Sequence, residues 1–141
     1  SDIDGIQPVK GGIGAYVHEV DFTIIKAGLL PNLLGKLDLH ANIVINDGRR
    51  VVLSSDSPTS SAFLRNYEVE EVCGFNLSEI NERLRKLGAG KITLRFPIPP
   101  KEYWDARNKL ESDLKGEKWF YLFRKENEAL IVRPLEFECS R

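Results

Sequence analysis

The spacing of apolar and polar residues changes repeatedly along this chain, and each change marks an element. Residues 14–20 (GAYVHEV) have the composition of a strand. In residues 21–37, Ile24, Ile25, Gly28, Leu29, Asn32 and Leu33 fall at helical spacings on one largely apolar face, and Asp21 is placed to cap the helix. Pro31 lies inside that pattern and predicts a bend or break, because its ring and missing N–H disrupt the preceding turn. Residues 40–46 (HANIVIN) and 50–54 (RVVLS) are β-rich runs around Asp47-Gly48, a dipeptide suited to a tight hairpin turn. Residues 54–61 (SSDSPTSS) read as a loop and as the best internal boundary.

Beyond that loop, residues 62–72 (AFLRNYEVEEV) alternate as a half-buried strand does. Residues 76–87 (NLSEINERLRKL) predict an amphipathic helix, with Asn76 as cap, Glu79 completing a capping box and Gly88 as the stop. Residues 91–96 (KITLRF) are the next strand. Pro97, Pro99 and Pro100 form a rigid entry to a helix from about Lys101 to Leu114. Residues 117–125 (EKWFYLFRK) and 129–135 (ALIVRPL) are strands joined as a hairpin across Glu126-Asn127-Glu128. The first part thus reads β-α-β-β and the second β-α-β-α-β-β. Short elements in mixed order with hairpins point to an α+β fold, in which helices cover one face of mostly antiparallel sheets.

Composition narrows the class. With 42% hydrophobic and 29% charged residues, the chain has an ordinary globular make-up, which argues against wholesale disorder. No apolar run approaches the length a membrane helix needs, and residues 1–14 have no hydrophobic signal core. A length of 141 residues leaves no room for both a Rossmann unit and a separate specificity domain. Charge is uneven: residues 1–72 carry 6 basic against 10 acidic side chains, and residues 73–141 carry 14 against 11. Scattered solvated charge is the ordinary source of so small a contrast; a surface facing phosphates is the other. Cys73 and Cys139 form no C-x-x-C pair and, with His18 and His40, are too dispersed for structural zinc. Two thiols without a secretory signal are expected as free thiols in a reducing cytoplasm.

Three segments carry a family resemblance: residues 14–30 (GAYVHEVDFTIIKAGLL), the loop before Phe63-Leu64-Arg65, and residues 90–97 (GKITLRFP). They resemble the C-terminal region of a group of class I S-adenosylmethionine-dependent methyltransferases. In that group a catalytic domain is followed by a small ferredoxin-like module and then a THUMP-like domain. The module's opening pattern corresponds here to Tyr16, Glu19 and Ile25-Lys26-Ala27-Gly28. The THUMP-like basic strand corresponds to Arg95-Phe96-Pro97, followed by the aromatic strand at residues 119–123. The resemblance implies two small modules, a linker plus β-α-β-β ferredoxin-like module over 1–61 and a THUMP-like β-α-β-α-β-β domain over 62–141. It also implies that S-adenosylmethionine belongs to a catalytic domain outside this chain, supplied in cis or in trans. Gly11, Gly12 and Gly14 are expected to be linker rather than a cofactor loop, since no hydrophobic strand precedes them.

Catalytic residues are not expected. His18 and Glu19 point to opposite faces of a strand, His18 reading as a surface or sheet histidine. His40, Asp38 and Asp47 fit turn chemistry better than a metal site, and residues 57–61 lack the G-x-S-x-G elbow of a nucleophilic serine. Arg83, Arg85, Lys86, Lys91, Arg95, Lys101, Arg107 and Lys109 are the candidate RNA-binding residues, with Tyr103, Trp104 and Tyr121 as stacking groups. Set against that, Glu79, Glu82, Glu102 and Glu111 interleave with these cations as solvated pairs would, and Trp104, Trp119, Phe120 and Phe123 suit core packing. The expected function is a non-catalytic region presenting structured RNA to a methyltransferase. A protein-interaction module docking onto a separate catalytic subunit is the alternative.

Overall fold

The structure is a computed structural model and describes residues 12–135. Its elements are β1 (Tyr16–Val20), α1 (Phe22–Lys26), α2 (Leu30–Leu37), β2 (Asn42–Asn46), β3 (Val51–Ser55), β4 (Leu64–Gly74), α3 (Leu77–Lys86), β5 (Ala89–Leu94), α4 (Pro100–Glu111), β6 (Lys118–Lys125) and β7 (Glu128–Pro134). The chain is α+β, with mostly antiparallel strands, as its element order implied. Contacts divide it into two compact units. Described residues through Glu68, with Pro134 and Leu135, form the first; Val69–Arg133 form the second, so β4 contributes to both.

In the first unit the strands lie in the order β2-β3-β1-β4, each neighbouring pair antiparallel. Ile24, Ile25, Leu30 and Leu33 from the helices pack on Val20, Val51, Leu53 and Leu64 of the sheet. Asp21 caps α1 as expected, its Oδ1 accepting from the Thr23 N–H at 2.9 Å. The break in the helical pattern falls at Gly28 rather than at Pro31. Gly28 takes the left-handed conformation (φ 69), its N–H bonds to the Ile25 carbonyl, and the Leu29 N–H reaches the Ile24 carbonyl. That is a Schellman stop, which any L side chain at Gly28 would strain. Pro31 then sits in the first turn of α2, where its missing donor costs nothing.

The β2–β3 hairpin turns one residue later than Asp47-Gly48: the Asp47 N–H bonds to the Arg50 carbonyl at 3.2 Å across Gly48 and Arg49. The Asp47 carboxylate reinforces the turn by accepting from the N–H groups of Arg49 (2.9 Å) and Arg50 (2.8 Å).

The second unit has the strand order β4-β7-β6-β5. β6 and β7 are antiparallel, whereas β5 and β6 are parallel and joined through α4, since parallel neighbours need a crossover. Ile80, Leu84 and Leu110 of the helices pack on Ile92, Leu94, Phe120, Leu122 and Ile131. Asn76 caps α3, accepting from the Glu79 N–H at 2.8 Å. The expected capping box forms in altered shape: Glu79 accepts from the Asn76 side-chain amide at 3.0 Å, while the Asn76 N–H goes to the Gly74 carbonyl. Helix α4 ends at Glu111, short of Leu114, because Ser112 leaves the helical region and Asp113 has φ 63. Asn81 ties the helices together, its amide donating to the carbonyls of Leu110 and Ser112, both at 2.9 Å.

The register of β5 shifts between Ala89 and Lys91, leaving Gly90 as an extra residue opposite β6. Such a bulge reverses which face the following side chains take. Ala89 and Ile92 therefore both enter the core, and Lys91 and Thr93 turn to the other face. The bulge depends on close backbone approach: a Cβ on Gly116 would lie 1.8 Å from the Gly88 carbonyl oxygen, and one on Gly90 2.0 Å from that of Gly116.

Replacing Gly116 by Ala is expected to destabilise the protein by about 2–3 kcal/mol, since backbone must move to admit the methyl group. Gly35→Ala should instead stabilise by about 0.5–1 kcal/mol, because it lies in α2 with open space beside it. Urea midpoints of the two variants would show the opposite signs.

Candidate nucleic-acid interface

Side chains far apart in sequence meet on the first unit's sheet. His18 is fully buried, and its Nε2 lies 2.6 Å from the Ser55 hydroxyl, while Nδ1 bonds Asn66 Oδ1. Asn66 donates its amide N–H to the Thr59 carbonyl at 2.6 Å, so its oxygen faces the ring and Nδ1 carries the ring proton. In the neutral ring Nε2 is then an acceptor, and it competes with the Ser57 carbonyl, 2.8 Å from Ser55 Oγ, for the one Ser55 hydroxyl proton. The connectivity is that of a nucleophile, a base and an orienting amide. The burial argues for a different job, since Ser55 is only 7% exposed and its hydroxyl also lies 2.8 Å from the Ser57 carbonyl. The network fastens the segment after β3 onto the sheet at Ser57 and at Thr59. His18 is thus a sheet histidine, and no local motif announces partners 37 and 48 positions away.

The other candidates for chemistry stay apart. Asp38 and His40 lie 3.9 Å from each other, both almost fully exposed. Cys73 is a buried free thiol whose pKa is raised, first by burial and then by the Glu79 carboxylate, so it is a poor nucleophile. Cys139 lies outside the described residues. Gly14 closes against β3, its N–H on Ser54 Oγ at 2.8 Å and its α-carbon too near the Ser55 carbonyl for a side chain.

The eight basic positions divide between the two faces of the second unit. On the helical side, Arg83 bonds Glu71 at 3.1 Å and lies 3.8 Å from Glu79, Lys86 pairs with Glu82 at 3.2 Å, and Lys109 with Asp105 at 3.1 Å. Arg107 pairs with Glu111 at 3.3 Å and stacks 5.3 Å over Trp104. The same Glu111 oxygen accepts the Ile92 N–H at 3.0 Å, a backbone donor on the outermost strand. Arg85 and Lys101 are exposed. Lys91 and Arg95 stand on β5 or just past it, on the opposite face from the helices, Arg95 being half-buried with contacts of its own.

That opposite face holds the most distinctive surface. The β5–β6 register places Lys91 beside Trp119 and Thr93 beside Tyr121. Trp119 is 49% exposed although its composition suggested core, because alternation sends Phe120 and Leu122 inward and Trp119 and Tyr121 outward. The Trp119 indole N–H donates to Thr93 Oγ1 at 2.7 Å, which fixes the ring. The Trp119 and Tyr121 rings are nearly parallel, 23° apart with centroids 6.2 Å from each other, and the Lys91 ammonium lies 5.8 Å from the Trp119 centroid. Of the stacking groups expected from sequence, Tyr121 belongs to this patch, while Tyr103 and Trp104 pack edge to face on α4.

No protein-family model and no curated protein sequence matches the chain. Among solved structures, it is similar to a crystal structure described as a "putative methyltransferase" from Porphyromonas gingivalis W83, with a TM-score of 0.60 and 22% identity over 93% of this chain. The likeness is one of fold. The aligned region spans 32% of that protein's chain. None of the described helices is long and apolar enough to cross a membrane.

Burial lowers the His18 pKa below its usual 6.5, outweighing the Asn66 bond that raises it. The unfolded chain therefore takes up this proton first, and the stability His18 contributes above about pH 6.5 is lost as pH falls through the depressed folded value. Urea unfolding at about pH 7.5 and about pH 5 should show a larger loss for the native protein than for His18→Gln; equal losses would contradict this coupling.

Proposed function

We propose that this chain is a non-catalytic RNA-recognition region that serves an S-adenosylmethionine-dependent RNA methyltransferase, the catalytic domain being carried in cis or on a partner. The observation that carries this reading is the patch of Lys91, Thr93, Trp119 and Tyr121 on the second unit, where no described helix lies and a cation adjoins the exposed Trp119 ring and its partly buried neighbour Tyr121. Exposed aromatic side chains on a sheet with neighbouring cations are a recurrent way of holding RNA. The fold likeness to a protein of which this chain would match a third accords with an accessory role. S-adenosylmethionine would supply the methyl group within the catalytic domain. This chain's part is to bind and orient the RNA in a reducing cytoplasm.

The alternative, docking onto a separate catalytic subunit, draws on a groove of about 540 Å³ in the second unit, walled by Phe75, Leu77, Phe96, Ile98 and Ala106. Leu77 is 47% exposed there, and Arg124 lies 4.1 Å over the Phe75 ring. If that groove holds a protein, Leu77→Ser should abolish co-purification with a catalytic subunit and leave RNA binding intact.

Affinity for structured RNA, such as bulk transfer RNA, should be mainly electrostatic. With three or four phosphate contacts, it should fall roughly 20- to 150-fold between about 50 mM and about 200 mM salt. Filter binding measures this directly, and absence of binding at the lower salt overturns the RNA reading.

A further inference from the structure

We infer that the Lys91, Thr93, Trp119 and Tyr121 patch is a stacking platform for two consecutive unpaired nucleotides of a single-stranded RNA segment. The inference rests on the RNA-recognition reading and specifies which part of an RNA the surface takes.

Ring spacing carries the argument. Trp119 and Tyr121 are two residues apart on β6, their centroids 6.2 Å from each other and their planes 23° from parallel. Successive bases in a helical strand rise by about 3.4 Å, so bases seated one on each ring must be pulled apart from one another. A paired A-form helix cannot do this, because its bases are stacked and reach the outside only by their edges. An extended single strand can.

Three features prepare the surface. The Trp119 indole N–H is already satisfied by Thr93 at 2.7 Å, so a base covering the ring strands no buried donor and finds the ring already oriented. Trp119 is half exposed, whereas Phe123, Leu130 and Val132 are fully buried, which confines the open area to the outer β5–β6 end. Lys91 is exposed beside the indole, where its ammonium can exchange the ring for a phosphate on the same strand.

Charge and edge chemistry favour RNA over a peptide as the occupant. None of the four patch residues is acidic, and its one formal charge is the lysine. A peptide adding itself as a strand would need the outer N–H groups of β5, yet the Ile92 donor is held by Glu111, itself paired with Arg107.

The test uses the full chain and three probes: a fluorescein-labelled single-stranded RNA hexamer, the same sequence as a blunt duplex, and bulk transfer RNA. Anisotropy should show the hexamer binding more tightly than the duplex. Trp119→Ala should weaken hexamer binding by about 5- to 150-fold, the range that stacking on one base supplies, with Tyr121→Ala weaker in effect and Trp119→Phe close to native. Lys91→Ala should reduce the slope of log affinity against log salt by about 0.7. In a Trp104→Phe background, the hexamer should quench the remaining Trp119 fluorescence. Circular dichroism of each variant separates loss of binding from loss of folding; if Trp119→Ala is unfolded, the quenching of Trp119 in Trp104→Phe and the Lys91→Ala slope decide. Transfer RNA binding that the hexamer does not compete for, or that Trp119→Ala leaves unchanged, overturns the platform and leaves the RNA reading standing. Failure of all three probes overturns both. Loss of a protein complex on Trp119→Ala, with RNA binding unchanged, overturns the platform in favour of a protein interface.

Discussion

The second unit depends on one backbone contact, the approach of Gly116 to Gly88 and Gly90. It leaves no space for a side chain at Gly90 or Gly116, and it holds the bulge that reverses the alternation of β5. Without that reversal, Ala89 and Ile92 could not share the core, and Lys91 would be turned toward the helices rather than toward Trp119. Core packing and the candidate RNA surface are therefore consequences of the same local geometry. The N–H of Gly116 and that of Lys118 bond to the carbonyls of Ala89 and Gly88, which satisfies polar groups that so tight an approach would otherwise bury.

Charge in this unit is organised by proximity more than by number. Arg83, Lys86, Arg107 and Lys109 each face a carboxylate on their own helix, and Arg83 also meets Glu71 of β4. The solvent-exposed pairs among these contribute only about 0–1 kcal/mol each to stability, but the carboxylates weaken the field a phosphate would meet on that side. The Arg107–Glu111 pair has the added task of covering the Ile92 N–H, so its carboxylate protects an outer strand that would otherwise invite pairing with another chain. On the opposite face, Lys91 has an aromatic neighbour in place of an acid.

The first unit is organised around a different constraint, the burial of a titratable ring. Each ring nitrogen of His18 has a neighbour: Asn66 bonds Nδ1 and holds Thr59, and the one Ser55 hydroxyl proton is contested between Nε2 and the Ser57 carbonyl. Unpaired polar groups are costly at such depth, and the Asn66 amide serves both the ring and the chain beyond β3. The serine-rich loop read from composition is in this way tied down at defined points.

Strands β1, β2, β6 and β7, the α+β class and the cap at Asp21 were legible because they depend on neighbours a few residues apart, through period, propensity and capping. Local chemistry also contained the signals for the helix break at Gly28 and the place of Pro31 in the next first turn. Which signal prevailed was settled by the two bonds of the Schellman stop and the seating of Leu30 and Leu33 on the sheet. The exposure of Trp119, the pairing of its neighbours and the meeting of His18 with Ser55 and Asn66 were decided only in three dimensions. Each depends on strand register, and register joins residues by hydrogen bonds across the sheet whatever their separation along the chain.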